Sequence, residues 1–105
     1  MMLAVKFGES VFDVDVPDEL IKDAEDFYAK MDRDMDQGWQ ISRLWVDNPD
    51  QQQRCQIVAE KILNAFHHND QKMILLMSGY ILSRVPEIKQ VIIDDTGDIT
   101  ETLFY

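Results

Sequence analysis

The sequence predicts an α+β fold, with N-terminal and C-terminal β-hairpins and three main helices between them, the last of these central and buried. Three observations carry the prediction. Runs of β-forming residues flank glycine-containing turns near both termini, and the middle of the chain repeats its apolar residues at helical spacing. In addition, Met73 to Ser83 carries no charge in a chain that is 29% charged. That uncharged run is far short of the roughly 20 residues a bilayer span needs, so it reads as a helix covered on nearly all sides. Asp70 and Lys72 close it on one side, Arg84 and Glu87 on the other.

In chain order, Leu3–Phe7 and Val11–Val16 are β-forming, and the second run alternates, with Phe12, Val14 and Val16 turned inward. Gly8-Glu9-Ser10 supplies a three-residue hairpin loop. Pro17 or Asp18 starts a helix whose first turn holds Asp18 and Glu19, where the helix dipole favours negative charge. Leu20, Ile21, Ala24, Phe27, Tyr28, Met31 and Met35 form a single apolar stripe on it. Lys22, Asp23, Glu25, Asp26, Lys30, Asp32 and Asp34 form the opposite face, and Gly38 is the stop.

Trp39 to Val46 follows neither a two-residue nor a 3.6-residue period, and a short helix or an ordered loop both satisfy it. Asn48 then caps the next helix, with Pro49 at the first helical position and Gln51 as capping-box partner. This helix runs to about His68, with Cys55, Ile57, Val58, Ile62, Ala65 and Phe66 as its apolar face. Gln52, Gln53, Gln56, Glu60 and Lys61 form its wet face. Asn69-Asp70 breaks the helix and caps the central one, which Pro86 ends after Val85. Ile88–Ile93 and Ile99–Tyr105 close the chain as strands around the turn Asp94–Asp98. Joining the two hairpins in one antiparallel sheet gives each the support it lacks alone; the alternative sets them on opposite flanks of a helical bundle.

Length and composition bound the function. Residues 1–105 make one acidic domain, 46% hydrophobic, with a formal charge of −10. Such charge disfavours nucleic-acid phosphates and anionic membranes, leaving a protein, either a second copy or a basic partner, as the expected partner. One cysteine, Cys55, makes no internal disulfide, and the cytoplasm is the expected compartment.

No motif specifies a chemistry, and no catalytic, cofactor-binding or metal-binding residue is assigned. Asp32, Asp34 and Asp36 resemble the start of a calcium loop, but Gln37 stands at the sixth position and Arg43 at the twelfth, so the run reads as a solvated helix end. Asp94, Asp95 and Asp98 read as turn residues. Glu60, Asn64 and His68 share a helix face but fall short of three zinc ligands. Cys55 lies on an apolar face with no cation directed at it, which makes it an inert thiol.

Two clusters point instead to recognition. Trp39, Arg43 and Trp45 concentrate residue types enriched at interface hot spots in the aperiodic segment; a core plug between helices is the favoured alternative for the tryptophans. Ser78, Gly79 and Ser83 put small side chains on the central helix, where another backbone can approach; close internal packing is the favoured explanation, and a self-association seam or a ligand pocket is the alternative. The expected function is a non-catalytic protein-interaction or structural domain that self-associates. The alternatives are an acidic inhibitor masking a basic surface of a partner through Glu19, Asp23, Glu25, Asp26, Asp32 and Asp34, and a small-molecule or metal-binding protein.

Overall fold

A computed structural model describes residues 1–105. The elements are β1 (Met2–Phe7), β2 (Ser10–Asp15), α1 (Asp18–Asp23), α2 (Glu25–Asp36), β3 (Trp39–Ile41) and β4 (Leu44–Val46). Then come α3 (Gln51–His67), α4 (Gln71–Arg84), β5 (Gln90–Ile92), a 3-10 turn at Ile99–Glu101, and β6 (Leu103–Phe104). This is the expected α+β class with strands at both ends.

The terminal hairpins do join in one four-stranded sheet, ordered β2-β1-β5-β6. Its seam differs from the expected one: β1 and β5 run parallel, with Val5 opposite Val91, so the sheet is mixed. The crossover explains this. Strand β2 ends beside the start of β1, where the Val16 N–H donates to the Met1 carbonyl. The helical segment returns the chain to that same end, where the Ala4 N–H donates to the Lys89 carbonyl. Strand β5 therefore sets out in the direction of β1. The first hairpin also closes more tightly than expected, Phe7 facing Ser10 across the two-residue loop Gly8-Glu9. Gly8 has φ 59°, the positive value a type II′ turn needs at its first position.

Leu3, Val5, Val14 and Val91 form the inner face of the sheet and meet Tyr28, Ile62, Met77, Tyr80, Ile81 and Leu82 of the helices. Helix α4 is the central element: Ile74 and Met77 through Leu82 are all buried. The expected single helix before Gly38 is two, bent at Ala24, whose ψ is 3°. Neither proline nor glycine marks that bend. Gly38, at φ 101°, donates its N–H to the Met35 carbonyl and ends α2 in the left-handed conformation that glycine tolerates.

Two local expectations are corrected. Trp39–Val46 is neither a short helix nor a loop but a hairpin, with Trp39 opposite Val46 and Ile41 opposite Leu44. The cap of α3 is Asp50 rather than Asn48: the Gln53 N–H donates to Asp50 Oδ1 at 2.8 Å and the Asp50 N–H to Gln53 Oε1 at 2.9 Å. Asn48 has φ 52° and its side-chain oxygen is taken by Arg54, so the box closes two residues later than Asn48 predicts. Replacing Asp50 with alanine is expected to cost about 1 kcal/mol in a urea titration, the usual worth of such a cap. Gln56, placed by the sequence on the wet face of α3, is buried, and its amide donates to the carbonyls of Thr100 and Thr102.

Candidate functional site

The hairpin β3–β4 stands apart from the main sheet and is held at its turn. Ile41 is buried in the core, and Ser42 at the turn donates its hydroxyl to Asp98 Oδ1 at 2.9 Å. Ser42 has φ 53°, so a serine takes the strained turn position. From this pinned turn Leu44 and Trp45 project into solvent, 71% and 60% exposed. The Trp45 indole lies over Gly38, where an added Cβ would fall 2.5 Å from a ring carbon, and its Nε1–H donates to Asp47 Oδ1 at 2.8 Å.

The structure therefore divides the first predicted cluster. Arg43 and Trp45 remain exposed on the same strand, whereas Trp39 turns toward α3 and is half-buried, with Lys61 Nζ 5.4 Å above its ring. The second cluster is covered by its own chain. Gly79 accommodates Tyr28: a Cβ there would stand 2.2 Å from the phenol oxygen. Ser83 donates to the Tyr80 carbonyl at 2.8 Å, and the Ser78 hydroxyl is buried with no partner. Ser78 and Gly79 thus serve internal packing, while Ser83 is half-buried.

Sequence reasoning missed a polar cluster that joins three helices. Asp32 of α2 accepts from Tyr80 Oη at 2.5 Å, Arg84 Nε at 2.9 Å and Arg54 Nη1 at 3.3 Å. Arg54 also donates to the carbonyls of Asp32 and Pro49 and to Asp36 and Asn48. Arg84 reaches Glu25 at 2.9 Å and lies over the rings of Tyr28 and Tyr80. Burial pushes the Asp32 carboxyl upward, but the hydrogen bonds from Tyr80 and Arg84, the charge of Arg84 and the bond from Arg54 together hold it below the ordinary value. Burial, then the bond to Asp32, raise the Tyr80 phenol, which keeps its proton. Every member has its partners within the cluster, which clamps α2, α3 and α4 together. The reading of Asp32 as part of a solvated, calcium-like helix end is corrected. One signal was available: Asp32 follows Tyr28 by one turn and so borders the apolar stripe.

The remaining candidates fall where the sequence put them. Asp94 accepts from Thr96 and from the Asp98 N–H, and Asp98 accepts from Thr100, so these aspartates cap their own turns. His68 Nδ1 lies 2.7 Å from the Asn64 carbonyl at the end of α3. Cys55 is buried, and burial raises its thiol to about 11 despite the nearby Gln51 amide, so no thiolate forms near neutrality. No three His, Cys, Asp or Glu side chains are grouped so as to hold a metal ion, and no helix is long and apolar enough to cross a membrane. A methionine-rich groove of about 360 Å³ runs between α2, α3 and α4, lined by Phe27, Met31, Met73 and Met77 with Lys61 and His68 at its edge.

Compared with protein-family models, with curated proteins and with solved structures, the chain matches none.

Proposed function

We propose that this chain is a non-catalytic protein-interaction domain that self-associates, and that its contact surface is the β3–β4 hairpin. One observation carries the reading: a leucine and a tryptophan, 71% and 60% exposed, are adjacent on an edge strand that leaves a pinned turn. Burying such side chains on a rigid element costs little ordering entropy, and tryptophan is the residue type most enriched where binding energy concentrates. The buried, unpaired Cys55 fits the cytoplasm as the compartment.

The acidic-mask reading draws less support. Asp32 and Glu25 are committed to Arg84, and Asp34 pairs with Lys30 at 3.1 Å, which leaves Glu19, Asp23 and Asp26 of that face unpaired.

Sedimentation of the wild type against Leu44→Ser tests the proposal. A weak dimer is expected, with a Kd in the range of about 10–100 µM, and Leu44→Ser should raise that Kd at least tenfold while leaving the thermal melt unchanged. A wild type that stays monomeric up to about 1 mM, where association is worth only about 4 kcal/mol, overturns it.

A further inference from the structure

The hairpin's own geometry names a partner and a register. Across a two-residue turn the closing pair, Ile41 and Leu44, exchanges both backbone hydrogen bonds, and the next pair, Gln40 and Trp45, exchanges none. The N–H and C=O of Trp45 therefore point away from β3, and neither finds a partner elsewhere in the chain. Along this open edge Arg43, Leu44, Trp45 and Asp47 are exposed and Val46 is half-buried. Between Arg43 and Asp47 the edge carries no charge, proline or bulge to block strand addition, and its three-residue length is the one such device present. By contrast, the outer strand of the main sheet, β2, sets Asp13 and Asp15 along its edge, and β6 is only two residues long.

We propose that two copies pair antiparallel along β4, with Trp45 on the two-fold axis. The proposal rests on the hairpin being the contact surface. In this register the two Trp45 residues exchange both backbone bonds, and each Leu44 faces Val46 of the second copy. Each Arg43 stands opposite Asp47 of the second copy, so the axis generates two opposite-charge pairs flanking the tryptophans. Asp47 has a second carboxylate oxygen beyond the one that accepts from Trp45.

The neighbouring registers that keep the same backbone bonds lose this complementarity. Centring on Leu44 sets Arg43 against the second Trp45. Centring on Val46 sets Trp45 against Asp47 and leaves Arg43 facing Pro49, which has no N–H to give. The segment is short, so the pairing is weak and concentration-dependent, below the area of a permanent interface.

Disulfide trapping separates the registers, because residues facing each other in a non-hydrogen-bonded pair bring their Cβ atoms to about 4.5–5.5 Å. Leu44→Cys and Val46→Cys proteins are made separately, checked for a wild-type melt, and oxidised alone and as a mixture, with the wild type reporting any reaction of Cys55. The expected result is a covalent dimer in the mixture, at least tenfold above either variant alone. A dimer from Leu44→Cys alone, or from Val46→Cys alone, overturns the register in favour of one of the shifted pairings. If the wild type sediments as a dimer and no combination cross-links, the edge pairing fails while the interaction reading stands. If the wild type is monomeric, both fail. As an independent check, Arg43→Asp sets like charges at both ends and should weaken association at least tenfold, and adding Asp47→Arg should recover most of it.

Discussion

Replacing Asp32 with asparagine is expected to destabilise the protein by about 3 kcal/mol, the low end for breaking a buried ion pair, because the carboxylate is still 26% exposed and partly screened. The amide keeps the volume but not the charge, and it presents an N–H₂ toward Arg54 and Arg84, which need acceptors. A urea titration at neutral pH measures the loss, and a change under about 0.5 kcal/mol, typical of surface substitutions, would show that the cluster is a surface decoration rather than a clamp.

The same variant carries a pH signature. The folded-state carboxyl is held below its ordinary value, so the unfolded chain takes up the proton first as pH falls. The stabilisation is then complete above the unfolded value of about 4 and is lost as pH drops through the folded value. The gap between wild type and Asp32→Asn should accordingly be constant from pH 7 to 5 and narrow below about pH 4. Asp94 and Asp98 are also held low by their turn hydrogen bonds, but they titrate in both proteins and cancel from the difference.

The second large effect is expected at Gly79. An alanine methyl would meet the Tyr28 oxygen at 2.2 Å, and Tyr28 cannot retreat, being fully buried and donating to the Leu76 carbonyl at 2.7 Å. Overpacking of this kind costs about 1–3 kcal/mol, and losing the tyrosine's hydrogen bond adds about 1 more. Alanine's better helix propensity returns roughly 1 kcal/mol, so a net loss near 2 kcal/mol is expected for Gly79→Ala. Tyr28→Phe removes the oxygen that clashes. In that background Gly79→Ala should lose most of its penalty, a coupling of about 1–2 kcal/mol in a double-mutant cycle. Equal penalties in both backgrounds would mean that the phenol oxygen is not what excludes a side chain at this position.

Legibility in the sequence followed the range of the interactions. The runs for α3 and α4 were readable because their burial patterns extend over 17 and 14 residues, and Asp70 marks the join between them. The β3–β4 hairpin was not readable: strands of three residues are too short to display alternation, and the turn uses Ser42 where a glycine would have announced it. Of the predicted interaction residues, Arg43 and Trp45 lie on the exposed hairpin. Trp39 is drawn onto α3, Gly79 is covered by Tyr28, Ser78 is buried, and Ser83 bonds back to its own helix. Nothing in the local pattern separates Trp39 from Trp45, because the strand pairing decides which face each one takes.

What the sequence determined by itself is the α+β class, the uncharged central helix, the net negative charge and the breaks near Gly8, Gly38, Asn69-Asp70 and Asp94–Asp98, all products of spacing within a few residues. The parallel seam between β1 and β5, the clamp of Asp32 on Arg54 and Arg84, and the open edge of β4 were decided only in three dimensions. Each brings together or leaves apart groups that local spacing does not relate, Asp32 and Arg84 by 52 residues. Only the path of the chain through its core determines which of them meet.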